Sequence, residues 1–121
     1  MFLYFRKYRT IETDTAIDAL RALGQGLRLA AFRALVQAGP AGLAVGELRD
    51  RVGVPPATLT AHLNVLRHAG LVVDAREGRV IRVRIDFARM NALIAYLTEN
   101  CCAGYGCGDM AGVAGSPAVT C

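Results

Sequence analysis

The chain has 121 residues, of which 54% are hydrophobic, and this predicts one globular domain with a core rather than a disordered chain. The formal net charge is +4, and all 14 basic residues lie at or before Arg89. Beyond Asn100 the only charged side chain is Asp109. A basic body followed by a nearly neutral tail indicates an anionic partner for the body.

The order of apolar and charged residues bears on membranes and compartment. No apolar run reaches the roughly 18 residues that a membrane span needs. At the start of the chain the apolar residues precede the charges, which is the wrong order for a signal peptide. We therefore expect a cytoplasmic protein with no membrane partner, whose 4 cysteines are reduced and act as ligands or sensors.

The first part of the chain predicts an irregular arm over residues 1–10 and then two helices. Over residues 13–23, Ile17, Leu20 and Leu23 recur at helical spacing. The second helix is predicted over residues 27–37. Four of its apolar side chains share one face: Leu29, Phe32, Leu35 and Val36.

The middle of the chain predicts a short helix near residues 45–51 and a longer helix over residues 56–69, joined by a tight turn at Gly53. Pro55 and Pro56 suit the start of the longer helix, because a missing N–H costs little in the first turn. Gly70 suits its end. The apolar stripe that would anchor this helix consists of Leu59, Leu63 and Leu66.

The next segment predicts a β-hairpin and a last helix. Glu77 and Gly78 are placed to form the turn, and Val83 and Ile85 alternate with arginines as in a half-exposed strand. Asp86 is placed to cap a helix that we expect to reach about residue 100. Its inward-facing side chains are predicted to be Met90, Leu93, Ile94 and Leu97. Residues 101–121 are predicted to be a flexible tail.

The element order α-α-α-α-β-β-α predicts an α+β, mainly helical fold, a winged helix-turn-helix over residues 11–100. The helix at 56–69 is predicted to read DNA, since short polar side chains let the backbone approach base edges and Asn can pair with adenine. Its candidate contacts are Thr58, Thr60, Ala61, His62, Asn64 and Arg67. Three arginines of the hairpin are candidates for phosphate or minor-groove contacts: Arg79, Arg82 and Arg84.

Residues 16–98 resemble the ArsR/SmtB family of bacterial repressors. The stretch ALRALGQGLRLAAFRALV is similar to the first two helices of that family, PPATLTAHLNVLRHAGLV to its recognition helix, and EGR to its wing turn. The resemblance implies a homodimer that pairs through its first and last helices, binds operator DNA, and releases it when a metal or metalloid binds. The best-known arsenic site of the family has cysteines before the turn, where this chain reads LAVGELRD, so that site is absent.

Three cysteines lie close together after the last predicted helix: Cys101, Cys102 and Cys107. Thiolates select soft or borderline ions, and three thiols suit trivalent arsenic or antimony, whereas structural zinc more often has four ligands. A continuous helix would separate Cys101 from Cys107 by about 9 Å. We therefore expect the helix to end near Cys102 and the chain to fold back. The Cys-Cys pair here resembles an ArsR subgroup with its arsenite site at the dimerisation helix.

These patterns predict a repressor that releases operator DNA when As(III), or Sb(III), binds the three thiols as an inducer rather than a cofactor. Two alternatives keep the DNA-binding role: a thiol redox switch, and a zinc, cadmium or lead site that recruits Cys121. A third is a thiol-rich metal carrier without a DNA role. No catalytic triad, carboxylate pair or phosphate-binding glycine loop is recognisable, so no enzyme is expected.

Overall fold

The computed structural model describes residues 11–101, so the predicted arm and Cys102, Cys107 and Cys121 lie outside the described residues. Within that part of the chain the elements are α1 Thr13–Leu23, α2 Gly26–Ala38, β1 Leu43–Ala44, α3 Val45–Val52, α4 Pro56–His68, β2 Val72–Glu77, β3 Val80–Ile85 and α5 Phe87–Leu97. A 3-10 turn, Gly39–Ala41, joins α2 to β1. The predicted winged helix-turn-helix is confirmed, with α3 and α4 as the paired helices and β2 and β3 as the wing.

The sheet has one strand more than the predicted hairpin. Its three antiparallel strands lie in the order β1-β3-β2. Leu43 pairs with Val83, and Ala44 pairs with Arg82. Because β1 has only two residues, it is too short to show the alternating pattern by which a strand is recognised. Strand β1 therefore holds the start of α3 beside strand β3 of the wing.

The leucine stripe of α4 is in the core, as predicted. Leu59, Leu63 and Leu66 are each at most 1% exposed, so the opposite side of the helix is turned to solvent. The backbone N–H of Leu71 donates to the Leu66 carbonyl oxygen at 3.1 Å, which closes the helix around Gly70. Burial of the stripe fixes the rotation of α4 and therefore decides which side chains a DNA partner would meet.

The last helix begins as predicted but ends earlier and packs differently. The Asp86 carboxylate accepts a hydrogen bond from the backbone N–H of Arg89 at 3.1 Å, which confirms the cap. The helix ends at Leu97 instead of residue 100. Leu93 is buried, but the prediction that Ile94 and Leu97 face inward was wrong, because they are 52% and 56% exposed.

Helices α1 and α2 also expose some of the apolar side chains by whose spacing they were predicted, among them Ile17 and Leu20 of α1. The side of α1 that packs inside the chain consists of Ala16, Ala19 and Ala22. Leu29 of α2, predicted to share a face with Phe32, is 44% exposed. Helical spacing shows that an apolar stripe exists, but it does not show whether the stripe packs within the chain or stays outside.

The exposed apolar side chains of the first and last helices form what we call the α1–α5 apolar surface: Ile17, Leu20, Ile94 and Leu97. The two helices are linked by a hydrogen bond of 2.7 Å between the hydroxyl groups of Thr13 and Tyr96. Exposed apolar side chains on two adjacent helices are a candidate site of association. Within residues 11–101, no helix is both long and apolar enough to cross a membrane.

Candidate nucleic-acid interface

A groove of about 770 Å³ lies between the start of α3, the outer side of α4 and the tip of the wing. We call it the α4–wing groove. Its walls include four of the predicted DNA contacts: Thr60, Asn64, Arg67 and Arg79. These residues come from positions up to 19 apart in the chain, and the packing of the hairpin against α4 brings them together.

The six candidate contacts on α4 do not all share one environment. Thr60, Ala61 and Asn64 are exposed on the side opposite the buried leucines. Thr58 and His62 are half-buried and stand at the flank of the helix. The outer surface of α4 is therefore narrower than the sequence pattern predicted, and its centre lies at Thr60 and Asn64.

His62 is held by a contact inside the chain. The Arg28 guanidinium reaches its Nδ1 from Nη1 at 3.3 Å. Since a guanidinium can only donate, His62 Nδ1 is the acceptor. The Nε of Arg28 also donates to the carbonyl oxygen of Ala22 at 2.7 Å. His62 is thus placed against the α1–α2 junction and does not line the α4–wing groove.

Arg67 lines the groove, but its guanidinium is engaged within the chain. Its Nε lies 3.0 Å from Oδ2 of Asp74, a residue of β2. Its Nη1 donates to Oδ1 of Asn64 at 2.8 Å. The positive charge of Arg67 is therefore balanced by the Asp74 carboxylate inside the groove. The guanidinium is not available as the unpaired DNA contact that the sequence pattern predicted.

The three wing arginines have three different positions. Arg79 is exposed beside the hairpin turn and lines the α4–wing groove. Arg82 donates from Nε to the Ala41 carbonyl oxygen at 3.1 Å and from Nη2 to that of Gly42 at 3.2 Å. Arg84 is exposed but lines a separate depression with Pro40 and Phe87. Of the three, only Arg79 combines exposure with a place in the groove.

The structure adds apolar side chains to the groove that the sequence analysis had not singled out. Val80 and Ile81, at the tip of β3, are 46% and 40% exposed and line its wall. Ile81 continues the alternation of Val83 and Ile85, so its pattern resembles that of a core residue. The sequence signal that Ile81 lies outside the core was its position next to the hairpin turn. An apolar side chain at such a position can contact the methyl groups of thymine.

Of the three predicted metalloid ligands, only Cys101 is among the described residues. It is exposed, and its backbone N–H donates to the Thr98 carbonyl oxygen at 3.0 Å. Asn100, just before it, has a left-handed backbone with φ of 57°. Residues 11–101 contain no cluster of three or more His, Cys, Asp or Glu side chains placed to hold a metal ion.

Comparisons with known proteins find the same helix-turn-helix arrangement in related proteins. A helix-turn-helix domain model matches residues 23–74, which contain α3 and α4. A solved structure from Mycobacterium bovis, described as a homodimeric winged helix-turn-helix DNA-binding domain and a possible ArsR-family regulator, is 31% identical. The similarity covers 72% of this chain and 81% of that one, with a TM-score of 0.57. The chain belongs to the ArsR/SmtB family.

Other relatives support the ArsR/SmtB assignment. The transcriptional repressor BigR from Xylella fastidiosa is 30% identical, with 68% of this chain and 81% of that chain covered and a TM-score of 0.56. The repressor SmtB from Mycobacterium tuberculosis is 35% identical over 72 residues, which are 60% of this chain and 51% of that repressor. The chain thus spans about half the length of SmtB. These relatives are regulators of transcription, in agreement with the expectation that the chain is not an enzyme.

Proposed function

We propose that this ArsR/SmtB protein is a transcriptional repressor that binds operator DNA. The observation that carries the proposal is the α4–wing groove, in which the exposed polar side chains of α4 face the exposed Arg79 of the wing. Thr60 and Asn64 offer short hydrogen-bonding groups to base edges, and Arg79 offers a cation to the phosphates. The BigR and SmtB relatives are described as transcriptional repressors.

We also propose that the protein acts as a homodimer that pairs through α1 and α5. The α1–α5 apolar surface supports this, because α1 buries small alanines in its own fold and leaves Ile17 and Leu20 outside. The similar Mycobacterium bovis domain is described as homodimeric. A two-fold arrangement would place two α4 helices at successive major grooves of one operator.

The wing arginines provide a test of the DNA interface. We expect Arg79→Ala to weaken DNA binding and to reduce the slope of log affinity against log salt by about two for the dimer, because each protomer loses one phosphate contact. The preference for operator over random DNA should change little. Fluorescence anisotropy with a fragment from upstream of the gene, at several salt concentrations, measures both quantities.

Arg84→Ala is the matched control, since Arg84 is exposed on the same hairpin but lies outside the α4–wing groove. This variant should keep the salt slope of the unmodified protein. Equal slopes for the Arg79 and Arg84 variants would contradict the proposed interface. If the unmodified protein has no preference for any promoter DNA, the repressor function is wrong and the metal-carrier alternative is favoured.

We further propose that As(III), or Sb(III) with the same ligand chemistry, is the inducer and binds the thiolates of Cys101, Cys102 and Cys107. The early end of α5 supports this proposal. The helix ends at Leu97, so Cys101 lies beyond its last regular turn. Thiols six residues apart need such an interruption to share one ion, because a helix would separate them by about 9 Å.

The position of the thiols at the end of α5 connects ion binding to the arrangement of the two α4 helices. Cys101 follows the helix that carries Ile94 and Leu97 of the α1–α5 apolar surface. An ion bound there would change the end of the proposed dimer helix and thereby the spacing of the two α4 helices. By linkage, the factor by which the ion weakens DNA binding equals the factor by which DNA weakens ion binding.

Cysteine variants test the inducer site. In the unmodified protein, arsenite should weaken operator binding by roughly 5- to 150-fold, the usual range for such coupling. Cys102→Ser should bind operator normally without arsenite and should not release it when arsenite is added, because one of three thiolates is missing. Anisotropy titrations of the preformed DNA complex with arsenite measure the release.

Cys121→Ser is the control and should release DNA like the unmodified protein. Normal release by Cys102→Ser would overturn the proposed ligand set. A parallel titration with hydrogen peroxide separates the redox alternative, in which oxidation releases DNA and arsenite does not. Release by zinc, cadmium or lead that requires Cys121 would favour a four-thiolate site instead.

A further inference from the structure

An acidic side chain, Asp74, lines the groove that is proposed to receive DNA. DNA phosphates repel a nearby carboxylate, so Asp74 lowers the affinity for DNA. Its presence in the groove therefore calls for another role. The Asp74 side chain is 38% exposed; its Oδ1 accepts a hydrogen bond from Arg67 Nε at 3.1 Å, and its Oδ2 lies 3.0 Å from the same nitrogen in an ion pair. Its described partner is thus a basic residue of α4, the helix proposed to read DNA.

Arg67 in turn fixes the orientation of the Asn64 side-chain amide. While its Nε is held by Asp74, its Nη1 donates to the side-chain oxygen of Asn64 at 2.8 Å. A guanidinium has no acceptor, so the oxygen of the Asn64 amide, and not its nitrogen, must face Arg67. Among residues 11–101 no acceptor bonds the side-chain nitrogen of Asn64. Asn64 is exposed in the groove, so this NH2 group is available to a DNA base.

We propose that Asp74 and Arg67 are positioning residues that make Asn64 read guanine. The usual pairing of Asn with adenine uses the amide as donor and acceptor together. Here the amide oxygen already accepts a charge-assisted hydrogen bond, which is stronger than a neutral one. The remaining NH2 group suits a base edge with acceptors only, and guanine presents N7 and O6 in the major groove. This inference rests on the proposed DNA-binding function.

The same arrangement assigns Arg67 a role different from a phosphate contact. Its charge is balanced by Asp74, so it contributes little to the attraction of the DNA backbone. If Asp74 were removed, Arg67 could reach phosphates and Asn64 could turn its oxygen to a base. The Asp74 carboxylate thus favours specificity over affinity.

Selection of bound sequences from a random DNA pool, followed by anisotropy titrations of single oligonucleotides, tests the inference. We expect the unmodified protein to enrich a guanine in each half-site and to prefer it over adenine by about tenfold. Asn64→Ala should lose this preference at that position. Asp74→Ala should lose it as well and bind random DNA several-fold more tightly, whereas Asp74→Glu, which keeps the carboxylate, should retain it.

A chemical substitution in the DNA isolates the contact. Replacing the selected guanine by 7-deazaguanine removes one acceptor, and this should weaken binding of the unmodified protein but not of Asn64→Ala. Thermal unfolding of each variant shows whether a change in preference follows from loss of structure. Equal guanine preference in Asp74→Ala and the unmodified protein would overturn the inference. If the unmodified protein enriches no sequence, the DNA-binding function itself fails.

Discussion

Replacing Ile94 with Asp should convert the protein to a monomer and reduce its affinity for operator DNA by about 100-fold or more. Ile94 is 52% exposed on α5 and belongs to the α1–α5 apolar surface. In the proposed homodimer it would be buried against the partner, where an unpaired carboxylate is strongly unfavourable. Loss of the dimer removes the second half-site contact, and linked binding of two sites is worth roughly 100- to 10,000-fold in affinity.

Ile81→Asp is the control for the oligomeric state. Ile81 is the same residue type with a similar exposure of 40%, but it lies at the wing tip. Sedimentation equilibrium should show a dimer for this variant and for the unmodified protein, and a monomer for Ile94→Asp. A dimer of unchanged strength in Ile94→Asp would contradict pairing through α1 and α5, whatever its effect on DNA binding.

Gly42→Ala should destabilise the fold by at least about 2 kcal/mol, which corresponds to a fall in Tm of roughly 10 °C. Gly42 has φ of +67°, a conformation that residues with a Cβ rarely adopt. An added Cβ would also overlap the Val83 carbonyl oxygen and approach Cβ of Arg84. The chain would have to move away from β3 and break the pairing that joins β1 to the wing. Thermal unfolding followed by circular dichroism measures the loss.

Gly39→Ala separates the two contributions to that loss. Gly39 has nearly the same backbone conformation as Gly42, with φ of +78° and ψ of −160° against +67° and −164°, but nothing lies within 4 Å of the position of an added Cβ. This variant should show only the conformational cost, about 1–3 kcal/mol. Equal losses in the two variants would show that close contact with β3 does not contribute at Gly42.

Several features of the fold follow from local chemistry and were predicted from the sequence. The Leu59, Leu63 and Leu66 stripe predicted the rotation of α4, because one apolar side of a helix must be buried. Asp86 predicted the start of α5, since a carboxylate can accept from a backbone N–H three residues later. These signals lie within a few residues of one another, so the tertiary structure is not needed to recognise them.

The partners of the arginines could not be predicted in this way. Arg67, Arg79 and Arg82 were equivalent as candidate DNA contacts, yet only Arg79 is exposed in the groove without a described carboxylate partner. Arg82 donates to a carbonyl group 41 positions away, at Ala41. Such a contact depends on how β1 packs beside β3. The charge of a side chain therefore does not reveal whether it is available to DNA.

The sequence by itself determined the winged helix-turn-helix, the order of its five helices and two wing strands, and the position of the thiols after the last helix, because helical spacing, caps and turns are local. The tertiary structure alone decided β1, the outward position of Ile94 and Leu97, and the contacts of Arg67 with Asp74 and Asn64. Each of these depends on which surfaces meet when the helices and the hairpin pack. That packing is set by the whole core and not by any one segment.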